Sequence, residues 1–500
     1  MSRIKNTRRI ILTGFASKVL NTVLPFINRT VIIWLLGAEF TGLSGLFSSI
    51  LQVLSLTEFG FSMTVAYSLY KPLAEDNKEE INKIMTMLRK VYIIVGTSII
   101  TLGLLTMPFL KYLIKGEYPD TINLYVLFLL YLVNSGISYF LFAYKGVLLS
   151  ADQRHDITTK VNTAITLLVN VLQIAVLLIF KNFYLYVLMT IVGSVTSNLI
   201  INRIANKRYP YLKVLPGKLE IPSEIRKQIG GLMINRLSNV SRNSFDSLVI
   251  SGTLGLVATA QYGNYYSIYA AVFGLVGIIS GSMTASVGNS IALKSVHDNY
   301  ENLLDFSLLY SWITGWCAVT MACLYQPFMK LWVGEDLMLP TYDMFLFVAY
   351  FYLINMNHMR NEYILGNPIW WKLKGAYLAE AIGNLVLNIV LGKMFGITGV
   401  IIATIVTIFF CNYLMCNSVL FKTYFKDESI RVFYRQQFYY LAVVTAVTGI
   451  VYFVCKGIDF IVIRALICIV VPNCLFVAFF LPCSRWKSSM QLVKRIIRAR

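Results

Sequence analysis

Runs of about 20 or more mostly apolar residues recur along the whole of this chain, and no other feature limits its fold so tightly. Each run is long enough to cross a bilayer as a helix, which satisfies its own backbone hydrogen bonds where no water can. Composition agrees: 57% of residues are hydrophobic and only 14% charged. The mean hydropathy of +0.66 lies well outside the range of a soluble domain. The first run resembles a signal peptide poorly. It is long, it is interrupted by Lys18 and Asn21, and no small-residue cleavage site follows, so it is expected to be retained as the first span.

Apolar runs bounded by charges, Gly and Pro predict an all-α integral membrane protein of about 14 transmembrane helices. The first two fall at 10–36 and 42–70, the seventh at 229–252, the eleventh and twelfth at 371–392 and 397–421, and the last two at 436–455 and 459–481. Basic residues cluster at the N-terminus (Arg3, Lys5, Arg8, Arg9), in the longest loop (Arg203 to Lys227) and in the C-terminal tail (Arg485 to Arg500). An even number of spans puts all three on one side. About 31 of the 44 basic residues then share that side and about 6 lie opposite, so both termini are expected in the cytoplasm. The net charge of +20 is thereby accounted for without a nucleic-acid partner.

The chain also repeats itself. A shift of 218 residues lays Arg8-Arg9 on Arg226-Lys227, Lys18 on Arg236, Asn21 on Asn239, Leu36-Gly37 on Leu254-Gly255 and Gly45 on Gly263. A shift of 214 lays Asn170 on Asn384, Thr190-Ile191-Val192 on Thr404-Ile405-Val406, and Asn198 on Asn412. Polar matches inside apolar spans are more telling than apolar ones because such residues are rare there. The expected organisation is two parallel six-helix lobes, 1–204 and 229–421, joined by a basic cytoplasmic linker at 205–228. Two further helices and a basic tail follow at 422–500. Lobes repeated in this way are related by an axis along the membrane normal, as in alternating-access transporters.

Seven basic residues stand within spans (Lys18, Arg29, Lys145, Arg236, Arg242, Arg360, Arg464) against four acids (Glu58, Asp246, Glu362, Glu380). Such groups face a bundle interior or a wet cavity by default. Lys18, Asn21, Pro25 and Arg29 share one helical face, as do Asn235, Asn239, Arg242 and Asp246. The first helix of each lobe thus carries a polar, mainly cationic stripe. The candidate binding residues are Lys18, Asn21, Arg29, Arg236, Asn239 and Arg242. Glu58, expected beside Lys18, and Asp246, expected at the depth of Arg29, are candidates for gating or ion pairing. Lys145 and Arg360 lie close enough to their span ends to snorkel, and Arg464 reads as an anchor at the outer face.

Other chemistries lack their motifs. The three histidines are scattered and the eight cysteines show no metal-ligand spacing, so neither a metal nor a cofactor is expected. No phosphate-binding glycine loop, nucleophile elbow or paired-acid motif appears, and the chain does not read as an enzyme. A membrane glycosyltransferase or polymerase would want a large external loop with clustered acids, whereas the external loops here are short. A multidrug cation antiporter would want an acidic cavity, and here bases outnumber acids.

The run "LPFINRTVIIWLLGAEFTGLSGLFSSILQVLSLTEFG" (24–60), with "AYSLYKPLAED" (66–76), resembles the polysaccharide-unit flippases of the multidrug/oligosaccharidyl-lipid/polysaccharide (MOP) exporter superfamily. The resemblance extends over most of the chain and is weakest at the last two spans. It implies movement of undecaprenyl-pyrophosphate-linked oligosaccharide units from the inner to the outer leaflet by rocking of two lobes around a cationic cavity. Arg29, Arg236 and Arg242 would be the basic residues of that cavity. The implied setting is a bacterial cytoplasmic membrane, with the anionic lipid-linked oligosaccharide and membrane lipid as partners and the polysaccharide polymerase machinery as a candidate one. Arginine suits a pyrophosphate because its planar fork meets phosphate oxygens in pairs.

Overall fold

The computed structural model describes residues 20–57, 61–213, 233–367 and 369–491, and every regular element among them is a helix. The chain is a multi-pass membrane protein. Eight helices among the described residues are long and apolar enough to span a bilayer, or nine if the bent pair Leu124–Phe140 and Tyr144–Ala151 is counted as one span. Within the segments expected as the first, second and seventh spans, the described residues are helical at Leu20–Leu35, at Ala38–Leu54 and Phe61–Ala74, and at 233–254. The eleventh and twelfth expected spans form one element of 53 residues, Trp371–Thr423, folded back on itself at Gly396 (φ 63°). There Gly399 lies so close to the chain that an added Cβ would sit 2.0 Å from the Leu391 carbonyl oxygen.

The internal repeat is visible in the breaks between helices. Gly37 (φ 113°) ends the first helix and Gly255 (φ 96°) ends the helix Asp246–Leu254, 218 residues later. Gly116 (φ 85°) and Gly334 (φ 83°) are separated by the same interval. All four adopt a left-handed backbone that costs glycine nothing and disfavours any other residue. Lys181 (φ 47°) closes a further hairpin between His155–Phe180 and Phe183–Arg208, the counterpart of the fold at Gly396.

The chain forms two compact units, 1–260 and 261–500. In the first, Ala38–Leu54 packs beside Leu124–Phe140, where Phe47 meets Phe128 edge to face at 5.2 Å, and also against Asp246–Leu254. Much of the expected 205–228 linker falls outside the described residues. In the second unit Val296–Val333 is the central helix: 61% of its apolar window is buried, against 17% for Ile461–Phe480 at the rim. Both of the last two helices pack on it, and Trp312 Nε1 donates to Asn473 Oδ1 at 2.8 Å.

One contact in the first unit sets a firm expectation. A Cβ on Gly42 would lie 2.2 Å from the Leu256 carbonyl oxygen, a backbone atom that cannot rotate away. Gly42→Val should therefore push apart the Ala38–Leu54 helix and the start of Leu256–Leu293. It should cost at least the 1–3 kcal/mol of an ordinary overpacking change, about 2 kcal/mol or more. Thermal unfolding of the detergent-solubilised variant checks this; an unchanged midpoint would refute the close contact.

Candidate functional site

Arg29 lies on the Leu20–Leu35 helix, six residues or about 9 Å short of its end. Its Nη2 donates to the carbonyl of Ala260 at 3.2 Å, and the side chain is partly buried. The guanidinium turns into the protein and meets a backbone dipole, as a charge within a span must to lower its insertion cost. Its neighbour Asn28 is buried and starts a chain of amides. Asn28 Nδ2 donates to Asn170 Oδ1 at 2.6 Å and to Gln173 Oε1 at 2.9 Å. Gln173 Nε2 in turn donates to Thr190 Oγ1 at 2.9 Å and to the Tyr186 carbonyl at 3.2 Å. The first helix is thereby fixed to the hairpin at 155–208 by neutral hydrogen bonds.

Arg242 stands in a π-helical turn, Ser241–Phe245, within the 233–254 helix. Turns of this kind widen a helix and recur at functional sites. Arg242 is 6% exposed. Its Nη2 donates to Asn239 Oδ1, and its Nη1 to Ser238 Oγ at 3.4 Å. Asp246, four residues on, is fully buried, and Ser244 Oγ donates to Gln52 Oε1 at 2.7 Å. Arg29, Asn239, Arg242 and Asp246 are thus drawn into the first unit, whereas Asn21 and Arg236 are exposed. Lys18 and Glu58 lie outside the described residues. The relay through Asn28 and Gln173, and the separate Ser244–Gln52 bond, escape sequence reasoning because single amides in apolar runs carry no spacing signal.

A second polar centre lies in the unit 261–500. Arg360 is 1% exposed and does not snorkel: its Nη1 and Nη2 donate to the backbone oxygen and the Oδ1 of Asn412, at 2.8 and 2.7 Å. Asn412 Nδ2 then donates to Oε2 of the fully buried Glu380 at 3.0 Å. Asn412 sits in the other π-helical segment, Ile408–Met415. Asn384 Nδ2 donates to Thr404 Oγ1 at 3.0 Å, tying the two arms of the hairpin. Lys145, in the first unit, likewise turns inward, to Asn202 and Asn206. Of the residues related by the 214-residue shift, Asn170 and Asn384 both make neutral contacts, whereas Asn198 bonds Ser138 and the Ser194 carbonyl and Asn412 joins a charged pair.

No family model matches the chain, and no curated protein matches it in sequence. Solved structures with a similar backbone include the lipid II flippase MurJ in an inward closed conformation, at a TM-score of 0.68 and 15% identity, covering 94% of this chain and 98% of that one. An inward-facing multidrug-resistance MATE transporter of the MOP superfamily matches at 0.60 and 14%, covering 80% and 96%. An outward-facing structure of such a transporter matches at 0.56 and 15%, covering 83% and 96%. At these identities the likeness is one of fold, and it extends over nearly the whole of each structure. The chain has the fold of the MOP-superfamily transporters.

Proposed function

We propose that this protein flips undecaprenyl-pyrophosphate-linked oligosaccharide units from the inner to the outer leaflet of a bacterial cytoplasmic membrane by alternating access, as a step in surface polysaccharide export. The observation that carries this reading is the pair of guanidiniums, Arg29 and Arg242, held by carbonyl, hydroxyl and amide oxygens within membrane helices. Lys18, Asn21, Arg236 and Asn239 complete the proposed binding set, and Asp246 and Glu58 the gate. The fold shared with a lipid II flippase supports a lipid-linked cargo. On this reading about 14 helices form two six-helix lobes with both termini in the cytoplasm, and the last two helices flank the lipid tail. An inside-negative potential assists, since moving one charge across 100 mV is worth about 2.3 kcal/mol.

Two fully buried carboxylates, Asp246 and Glu380, favour a second reading as a cation antiporter, whose chemistry needs a titratable acid in the membrane. Proteoliposomes distinguish the two. With a fluorescent lipid-linked oligosaccharide in the inner leaflet, the purified protein should expose it outside, faster with an inside-negative potential, and should leave lipophilic cations undisturbed. Cation efflux driven by a proton or sodium gradient, with no lipid exposure, would reverse the assignment. Enzymatic extension of the oligosaccharide would refute both.

A further inference from the structure

Cys323, Cys455 and Cys468 come from three different helices, Val296–Val333, Ile430–Lys456 and Ile461–Phe480, yet their sulfurs all lie within 4.8 Å of one another. Each residue is about 1% exposed. Sequence spacing gives no hint of this, because the cluster is assembled only when the last two helices dock on Val296–Val333. The docking is pinned on either side. Trp316 Nε1 donates to the Cys468 carbonyl at 2.7 Å, and Arg464 donates to the Cys323 carbonyl at 3.4 Å and to the Ile458 carbonyl. Arg464, an anchor by sequence, therefore bridges the turn after Cys455 and the backbone of Cys323.

Three sulfurs around a metal at about 2.3 Å form a triangle with edges of about 4.0 Å, so small χ1 changes would close the observed cluster onto an ion. Thiolates select soft d10 cations over Mg²⁺ or Ca²⁺. Charge decides the valence. Three thiolates, one divalent cation and the Arg464 guanidinium sum to zero, whereas a monovalent ion would leave a negative charge in a dry interior. We propose that Cys323, Cys455 and Cys468 form a trigonal site for a soft divalent cation of the Zn²⁺ class, with Arg464 as the compensating charge. On binding, three S–H bonds are replaced by three sulfur–metal bonds and three protons leave to solvent. The site clamps the two C-terminal helices to Val296–Val333, a task separate from cargo binding.

The test uses reduced, metal-free, full-length protein in detergent, with Cd²⁺ as the probe. One Cd²⁺ per chain should bind, with a thiolate-to-metal charge-transfer band, and X-ray absorption at the cadmium edge should find three sulfur neighbours. Cys468→Ser should weaken binding by about 100-fold or more, whereas Cys474→Ser, at an exposed cysteine, should leave it unchanged. Arg464→Gln should weaken it about tenfold at unchanged stoichiometry, in the manner of an outer-shell group. The sulfur count needs no variant to fold. Absence of the band, fewer than three sulfur neighbours, equal affinity in Cys468→Ser, or a disulfide between any two of the three cysteines as isolated would each overturn the proposal.

Discussion

Arg360→Met is expected to destabilise the unit 261–500 by about 3–5 kcal/mol. At roughly 2–4 °C per kcal/mol for a unit of this size, the unfolding midpoint should fall by about 6–20 °C. The guanidinium meets two oxygens of Asn412, and the Asn412 amide meets Glu380, so one asparagine stands between a buried cation and a buried anion. Removing the cation leaves the buried Glu380 carboxylate without the positive charge held against Asn412, which is the costly half of breaking any buried pair. Arg360→Lys keeps the charge but cannot reach both Asn412 oxygens from one point, so an intermediate loss is expected. The double variant Arg360→Met/Glu380→Gln removes both charges and should recover most of the stability. Thermal unfolding in detergent, followed by tryptophan fluorescence, reads all three. A single variant as stable as wild type, or a double variant no better than the single, would mean that the network is not held by its charges.

The second large effect concerns transport. Under the proposed function, Arg29→Ala should lower the initial flipping rate by about tenfold to 100-fold, the range set by about 1.5–3 kcal/mol for a hydrogen bond to a charged group. Arg242→Ala should act in the same direction. Arg29→Lys should keep part of the rate, because it retains the charge and loses the fork. Arg29 and Asp246 are proposed to alternate: they pair when the outer side is closed, and the pyrophosphate competes for the guanidinium as cargo passes. Asp246→Asn should then raise leakage through the closed state more than it weakens cargo binding. Arg29 also ties its helix to Ala260, so each variant's unfolding midpoint must be compared as well. Normal transport by a folded Arg29→Ala protein would reduce Arg29 to a structural tie.

Much of this was legible in the sequence, and the parts that were not share a cause. Apolar runs set the helices, since length and hydropathy act locally. The 218-residue repeat anticipated the paired breaks at Gly37 and Gly255 because a backbone with positive φ demands glycine. Arg242 and Asp246 stand out in the sequence because four polar residues on one face of an apolar helix need a common explanation, and both are buried. Arg360 does not stand out: its distance from a span end fits snorkelling as well as burial, and only the position of Asn412, 52 residues away, decides between them. The three-thiol cluster was hidden for the same reason, since its members are separated by up to 145 residues and each alone reads as an apolar filler. Long-range partners, more than residue types, are what a single sequence withholds.

The two hairpins bear on how the chain enters its membrane. The arms 374–395 and 397–423 meet at a turn whose sole charged member is Lys393, and Asn384 and Thr404 hydrogen-bond across it. The arms at 155–180 and 183–208 close in the same way, through Gln173 and Thr190. An amide that crosses the bilayer alone carries its full desolvation cost, whereas one already bonded to the opposite arm does not. Each hairpin can therefore leave the insertion machinery as a single body, with Gln173 and Thr190 or Asn384 and Thr404 already bonded across it, and the contacts to Asn28 and Arg360 follow when those helices dock. Biogenesis of such a chain would proceed by pairs of helices, with the turn at Gly396 acting as a leading edge instead of a loop awaiting separate translocation.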